Sequence, residues 1–113
     1  MKKIMALLTI ILIAWSCKTI SPNYRLGMEA AMNKNWDEAV MYYERAVFED
    51  PKSSYYRLAL ERAKIYAANL HISLARKLAS MGEKEDALAE YELASFHDPG
   101  PFYEIINQES ERL

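Results

Sequence analysis

Along most of the chain, apolar residues recur every three or four positions, and these stretches are separated by short breaks rich in Asn, Asp, Pro and Gly. That is the pattern of consecutive amphipathic helices. Ser21-Pro22 supplies a hydroxyl cap and a first-turn proline, so a helix is predicted over about 22–33. Its expected buried stripe is Leu26, Ala30 and Asn33 or Lys34, with Gly27 permitting close backbone approach. Asn35-Trp36-Asp37-Glu38 has the form of a capping box and opens a second helix with Ala39, Tyr43, Ala46 and Val47 on its apolar side. Asp50-Pro51 ends it. From about Ser53 to Met81 there is no Gly or Pro, and Tyr56, Ala59, Ala63, Tyr66, Leu70, Leu74, Leu78 and Met81 keep helical steps. One long helix of roughly 43 Å is predicted there, stopped by Gly82. A fourth helix over Lys84–Phe96, with Ala87, Leu88, Tyr91, Leu93 and Ala94 as apolar positions, runs to the break Asp98-Pro99-Gly100-Pro101. A short last helix, Phe102–Glu111, completes an all-α fold.

The first residues follow different rules. Met1, Lys2 and Lys3 precede an almost unbroken apolar run from Ile4 to Trp15, which Ser16, Cys17 and Lys18 end. This is the arrangement of a secretory signal. The run falls short of the about 20 apolar residues that span a bilayer, although an uncleaved anchor is the alternative reading. Cys17 is the only cysteine and so has no internal disulfide partner. The segment Ile13-Ala14-Trp15-Ser16-Cys17 resembles a bacterial lipobox, although Ala14 stands where Leu is usual and Trp15 is bulky for its place. The resemblance implies removal of residues 1–16, a lipid on Cys17 as the new N-terminus, a short tether at 17–21 and a helical domain over 22–113. Lys18 fits outer-membrane sorting, with inner-membrane retention as the alternative. Ala14-x-Ser16 also resembles an ordinary signal-peptidase site, which implies a secreted, unlipidated protein.

Removing that segment takes the 14 basic residues to 12, against 16 acidic, and the formal charge from −2 to −4. Basic and acidic residues are interleaved throughout, so no concentrated basic face exists for nucleic acid.

The two halves of the helical region repeat. At a spacing of 48 residues, Leu26 pairs with Leu74, Ala39 with Ala87, Tyr43 with Tyr91, Ala46 with Ala94 and Pro51 with Pro99. These residues, with Gly27 and Ala75, resemble the tetratricopeptide repeat, a helical hairpin of 34 residues. The units cover about 20–53 and 68–101. Asn23 and His71 stand where the family favours Trp, and Ala30 and Leu78 where it favours Tyr. About 14 extra residues lie between the units, close to four helical turns, so the long helix extends past its hairpin partner on nearly the same face. The overhang, with Tyr55, Arg57, Arg62 and Tyr66, is expected to need covering by the last helix or by a partner. The stretches Tyr56 to Ala63, Ala67 to His71 and Ala87 to Ala94 are similar to the repeat region that precedes the secretin domains of some bacterial secretion and pilus channels, and with no β-rich channel domain among these 113 residues, a truncated relative or an independent accessory protein is expected.

The tetratricopeptide resemblance implies a concave groove for a protein partner, lined here by Tyr24, Met28, Met32, Asn69, Ile72 and Arg76. Tyr, Met and Arg give large adaptable contacts, while Met28 and Met32 fit internal packing equally well. Two repeats are fewer than the about three that stacked-helix proteins need for stability, so assembly with a partner or with itself is expected. His71 and His97 are far apart in sequence and have no second cysteine to help them. They are expected as a packing residue and a helix-terminal residue, with no metal, cofactor or catalytic role. The acidic run Glu83, Glu85, Asp86, Glu90 and Glu92 reads as a solvated face. The expected function is a non-catalytic adaptor of the bacterial envelope, facing the periplasm and serving a secretion or pilus assembly. A secreted or membrane-anchored scaffold, or an accessory subunit of an envelope enzyme, is the alternative.

Overall fold

The computed structural model describes residues 1–7, 19–97, 100 and 103–113. Cys17 and most of the signal segment lie outside the described residues, as does Phe102. Residues 2–7 are helical, and five further helices follow: α1 Pro22–Met32, α2 Trp36–Glu49, α3 Ser54–Ser80, α4 Lys84–His97 and α5 Tyr103–Glu111. The protein is all-helical, with no strand among the described residues. No described helix is long and apolar enough to cross a membrane.

The boundaries follow local chemistry. Ser53 caps α3, its Oγ accepting the Tyr56 N–H at 3.3 Å. Gly82, at φ 81°, stops the same helix, and the Glu83 N–H returns to the Leu78 carbonyl. The two other expected caps differ. Ser21 and Asn35 make no side-chain cap bond. Instead the Ser21 hydroxyl donates to Glu49 Oε2 at 2.6 Å, and the Ser21 N–H donates to Tyr56 Oη at 2.9 Å. The start of α1 is thereby tied to the end of α2 and the start of α3.

Each helix packs chiefly on the next in sequence. Two cores result, and α3 belongs to both. Its residues Leu60, Ala63 and Ala67 join Ala30, Ala39, Val40 and Tyr43 in the first core. Ala68, Ile72 and Ala75 join Tyr91, Ala94 and Ile106 in the second. The two sets run in steps of three or four but are offset where Ala67 gives way to Ala68, so α3 turns one stripe to α2 and a neighbouring one to α4.

This arrangement corrects two expectations. The overhang of α3 is covered on one side by α1 and α2, whereas α5 packs on α4. The small and aromatic positions read from the spacing, Ala30, Ala39, Tyr43, Ala46, Ala63, Ala87, Tyr91 and Ala94, are buried, but other large ones are not: Leu26, Tyr66, Leu70, Leu74, Met81, Leu88 and Leu93 are exposed, and the second half of α3 buries Ala67, Ala68, Ile72 and Ala75 instead. Close helix approach selects the small side chain at the line of contact and leaves the large ones at its margins. Gly27 shows the same rule. A Cβ there would lie 2.6 Å from the Tyr43 ring.

Candidate functional site

Two constellations of side chains stand out. The first is an aromatic cleft between α1, α2 and the first half of α3, about 570 Å³ in volume. Tyr24 lines it, 5.7 Å from the Tyr43 ring and 4.9 Å from Tyr56. Trp36 at the start of α2 stacks on Tyr66 at 4.4 Å with planes 16° apart. Arg62 completes the wall. A larger cleft of about 950 Å³ adjoins it, lined by Ile20, Pro22, Tyr24, Tyr55 and Tyr56.

The fold thus brings Tyr24 of the predicted groove together with Tyr55, Arg62 and Tyr66 of the predicted overhang. Arg57 is exposed on the same half of α3. Met28 and Met32 are exposed, Met32 at 83%. The rest of the predicted groove separates from them. Asn69 is exposed, but Ile72 is 2% exposed inside the second core and offers no surface to a partner. Arg76 is engaged by α5, its Nε and Nη2 donating to the Glu109 carboxylate at 2.7–3.1 Å. Burial raises the Tyr91 phenol to about 12, helped by its hydrogen bond to Glu109. The Tyr91 hydroxyl donates to Glu109 Oε2 at 2.6 Å. Arg76 and Tyr91, working against burial, hold the Glu109 carboxyl below its ordinary value.

The second constellation lies where α2, α3 and α4 meet. His71 of α3 is buried, and both its ring nitrogens reach carboxylates: Nδ1 to Glu90 Oε2 at 2.5 Å, and Nε2 to Asp37 Oδ1 at 3.0 Å. His97 of α4 places Nε2 2.7 Å from the same Asp37 oxygen. The two imidazoles stack, centroids 5.5 Å apart and planes 10° from parallel. Burial acts to lower the His71 pKa, but Glu90 and Asp37 together outweigh it and raise it. His97 Nδ1 is buried with no hydrogen-bond partner among the described residues.

Read as a sequence, these four residues are separate: two lone histidines, Glu90 in an acidic run and Asp37 in a capping box. The fold joins them because Asp37 occupies the first turn of α2, opposite the middle of α3, while Glu90 and His97 share the face of α4 that carries Ala87, Tyr91 and Ala94. Polar residues on an otherwise buried alanine stripe are the signal that was available. The stack itself depends on three helices crossing, which no local pattern encodes. No protein-family model matches the chain, and no curated protein or solved structure gives a significant match.

Proposed function

We propose that the chain is a non-catalytic protein–protein interaction adaptor of the bacterial cell envelope, built on two tetratricopeptide-like hairpins and tethered by a lipid on Cys17. The hairpin reading is supported by repeat positions that match in burial as well as identity: Ala39 and Ala87, Tyr43 and Tyr91, and Ala46 and Ala94 are all buried. On this reading α1 and α2 form the first hairpin, and α3, which packs on α2, opens the second hairpin with α4. The adaptor reading rests on the aromatic cleft. Tyr24, Trp36 and Tyr66 line an open concavity, with Arg62 at its wall and Tyr55 nearby. Aromatic and Arg side chains are the anchors that concentrate binding energy at protein interfaces. A secretion or pilus channel component is the partner we assign to it.

A photoreactive amino acid at Tyr66, and separately at Met32, tests this in intact cells, with exposed Glu44 on α2 as the control site. The expected product joins the chain to a secretion or pilus component from Tyr66 and not from Glu44. Recovery of cell-wall enzymes alone would overturn that partner. Labelling with a palmitate analogue, abolished in Cys17→Ser, tests the tether separately.

A further inference from the structure

We propose that Asp37, His71 and His97 form a binding site for a divalent transition-metal ion of the Zn²⁺ type, with Glu90 as the carboxylate that orients His71. The site goes beyond the adaptor reading and stands without it.

Geometry carries the proposal. One ligand atom from each of Asp37, His71 and His97 lies within 4.8 Å of the other two. Around a tetrahedral ion at about 2.0–2.2 Å from each ligand, neighbouring donors stand roughly 3.4 Å apart. The present separations of 2.7 Å and 3.0 Å about Asp37 Oδ1 widen slightly to meet that spacing, while the two histidine ligand atoms, within 4.8 Å of each other, adjust toward it by side-chain rotation. The three ligands come from three helices, and a zinc ion held by three protein ligands keeps a fourth position for water. Asp37 has a half-exposed side chain, which gives an entry path, while the side chains of His71 and His97 are 8% and 11% exposed.

The surroundings fit as well. Histidines that hold zinc pass their other ring N–H to a carboxylate, which fixes the tautomer and the ring plane. Glu90 stands in that place, 2.5 Å from His71 Nδ1. The charges also close: one divalent ion between two neutral imidazoles balances the carboxylates of Asp37 and Glu90. Two imidazole nitrogens and one carboxylate select Zn²⁺ and its neighbours over Ca²⁺ or Mg²⁺, which take oxygen ligands. An ion here would fasten the first hairpin to the second across α3.

The test uses the full chain in detergent, without a histidine tag, stripped by chelator and titrated with ZnCl₂ alone in a calorimeter. One ion per chain is expected, with affinity falling at least about 10-fold in His97→Gln and in Asp37→Asn, and unchanged in Glu44→Gln. Co²⁺ in place of Zn²⁺ is expected to give a visible absorption band that both variants lose. No zinc binding by the parent chain, or binding that the variants retain in full, would overturn the site. Should either variant lose its helical circular dichroism, the parent chain alone decides. ¹⁵N shifts of both imidazoles must move on Zn²⁺ addition to the range of metal-bound nitrogen, and their failure to move would equally overturn it.

Discussion

His71 and His97 stack ring on ring at 5.5 Å, one from α3 and the other from α4, and both ring edges converge on a single carboxylate of α2, Asp37. Three helices from both halves of the repeat therefore meet at one polar point. In chelator, His71→Gln keeps a polar side chain but cannot join Glu90 to Asp37. A loss of about 1–3 kcal/mol in urea unfolding is expected. Combining it with Asp37→Asn should cost less than the two single changes together, because the partners share one interaction. Additive losses would show that the residues act separately.

Gly27→Ala sets two opposed effects against each other. Alanine gains about 0.5–1 kcal/mol in helix preference, but its Cβ would stand 2.6 Å from the ring of Tyr43. That ring is buried and has Tyr24 against it, so it has little room to move. Overpacking of this kind costs about 1–3 kcal/mol, and net destabilisation is expected. Tyr43→Leu in the same chain should recover part of it, as read from the shift in denaturation midpoint.

The helix ends were legible because their causes are local. Asp50-Pro51 and Gly82 act within a few residues of themselves, and α2 and α3 end within a residue or so of where those signals place them. The buried faces were less legible, since a stripe chosen by apolar size selects Leu70 and Leu74 where the fold buries Ala67 and Ala75. Contact distance between helices decides that choice, and it is a tertiary quantity. The histidine cluster lay furthest from view. Asp37, His71 and His97 become neighbours only through the crossing of α2, α3 and α4.

The same distinction predicts a contrast along α3. Ile72 is 2% exposed among Ala68, Ala75, Tyr91 and Ile106, while Leu74 is 39% exposed. Ile72→Ala should cost about 2–5 kcal/mol through lost burial and the cavity left behind. Leu74→Ala should stay within about 1 kcal/mol, because its side chain is already partly hydrated. Equal losses in thermal or urea unfolding would contradict the two-stripe arrangement of α3.

Acid should release α5 before the rest of the fold. Its docking rests on Glu109, whose carboxylate receives Arg76 and the Tyr91 hydroxyl, and on Ile106 in the second core. Because Arg76 and Tyr91 hold the folded carboxyl of Glu109 below its ordinary value, their contribution is fully present above the ordinary carboxylate range. It is lost as pH falls through the lowered folded value, where protonation removes the charge that Arg76 holds. The pair is partly exposed, so the effect on global stability should be below about 1 kcal/mol. Locally it is larger in consequence, since α5 is short and α4 is its chief neighbour. Protection of the amides of residues 103–111, taken relative to their intrinsic exchange rates at each pH, is expected to fall in acid while that of α1 and α2 holds, and Glu109→Gln should lower it at neutral pH and flatten its pH dependence. Exchange in α5 that tracks α1 and α2 at every pH would show that Glu109 does not govern the docking.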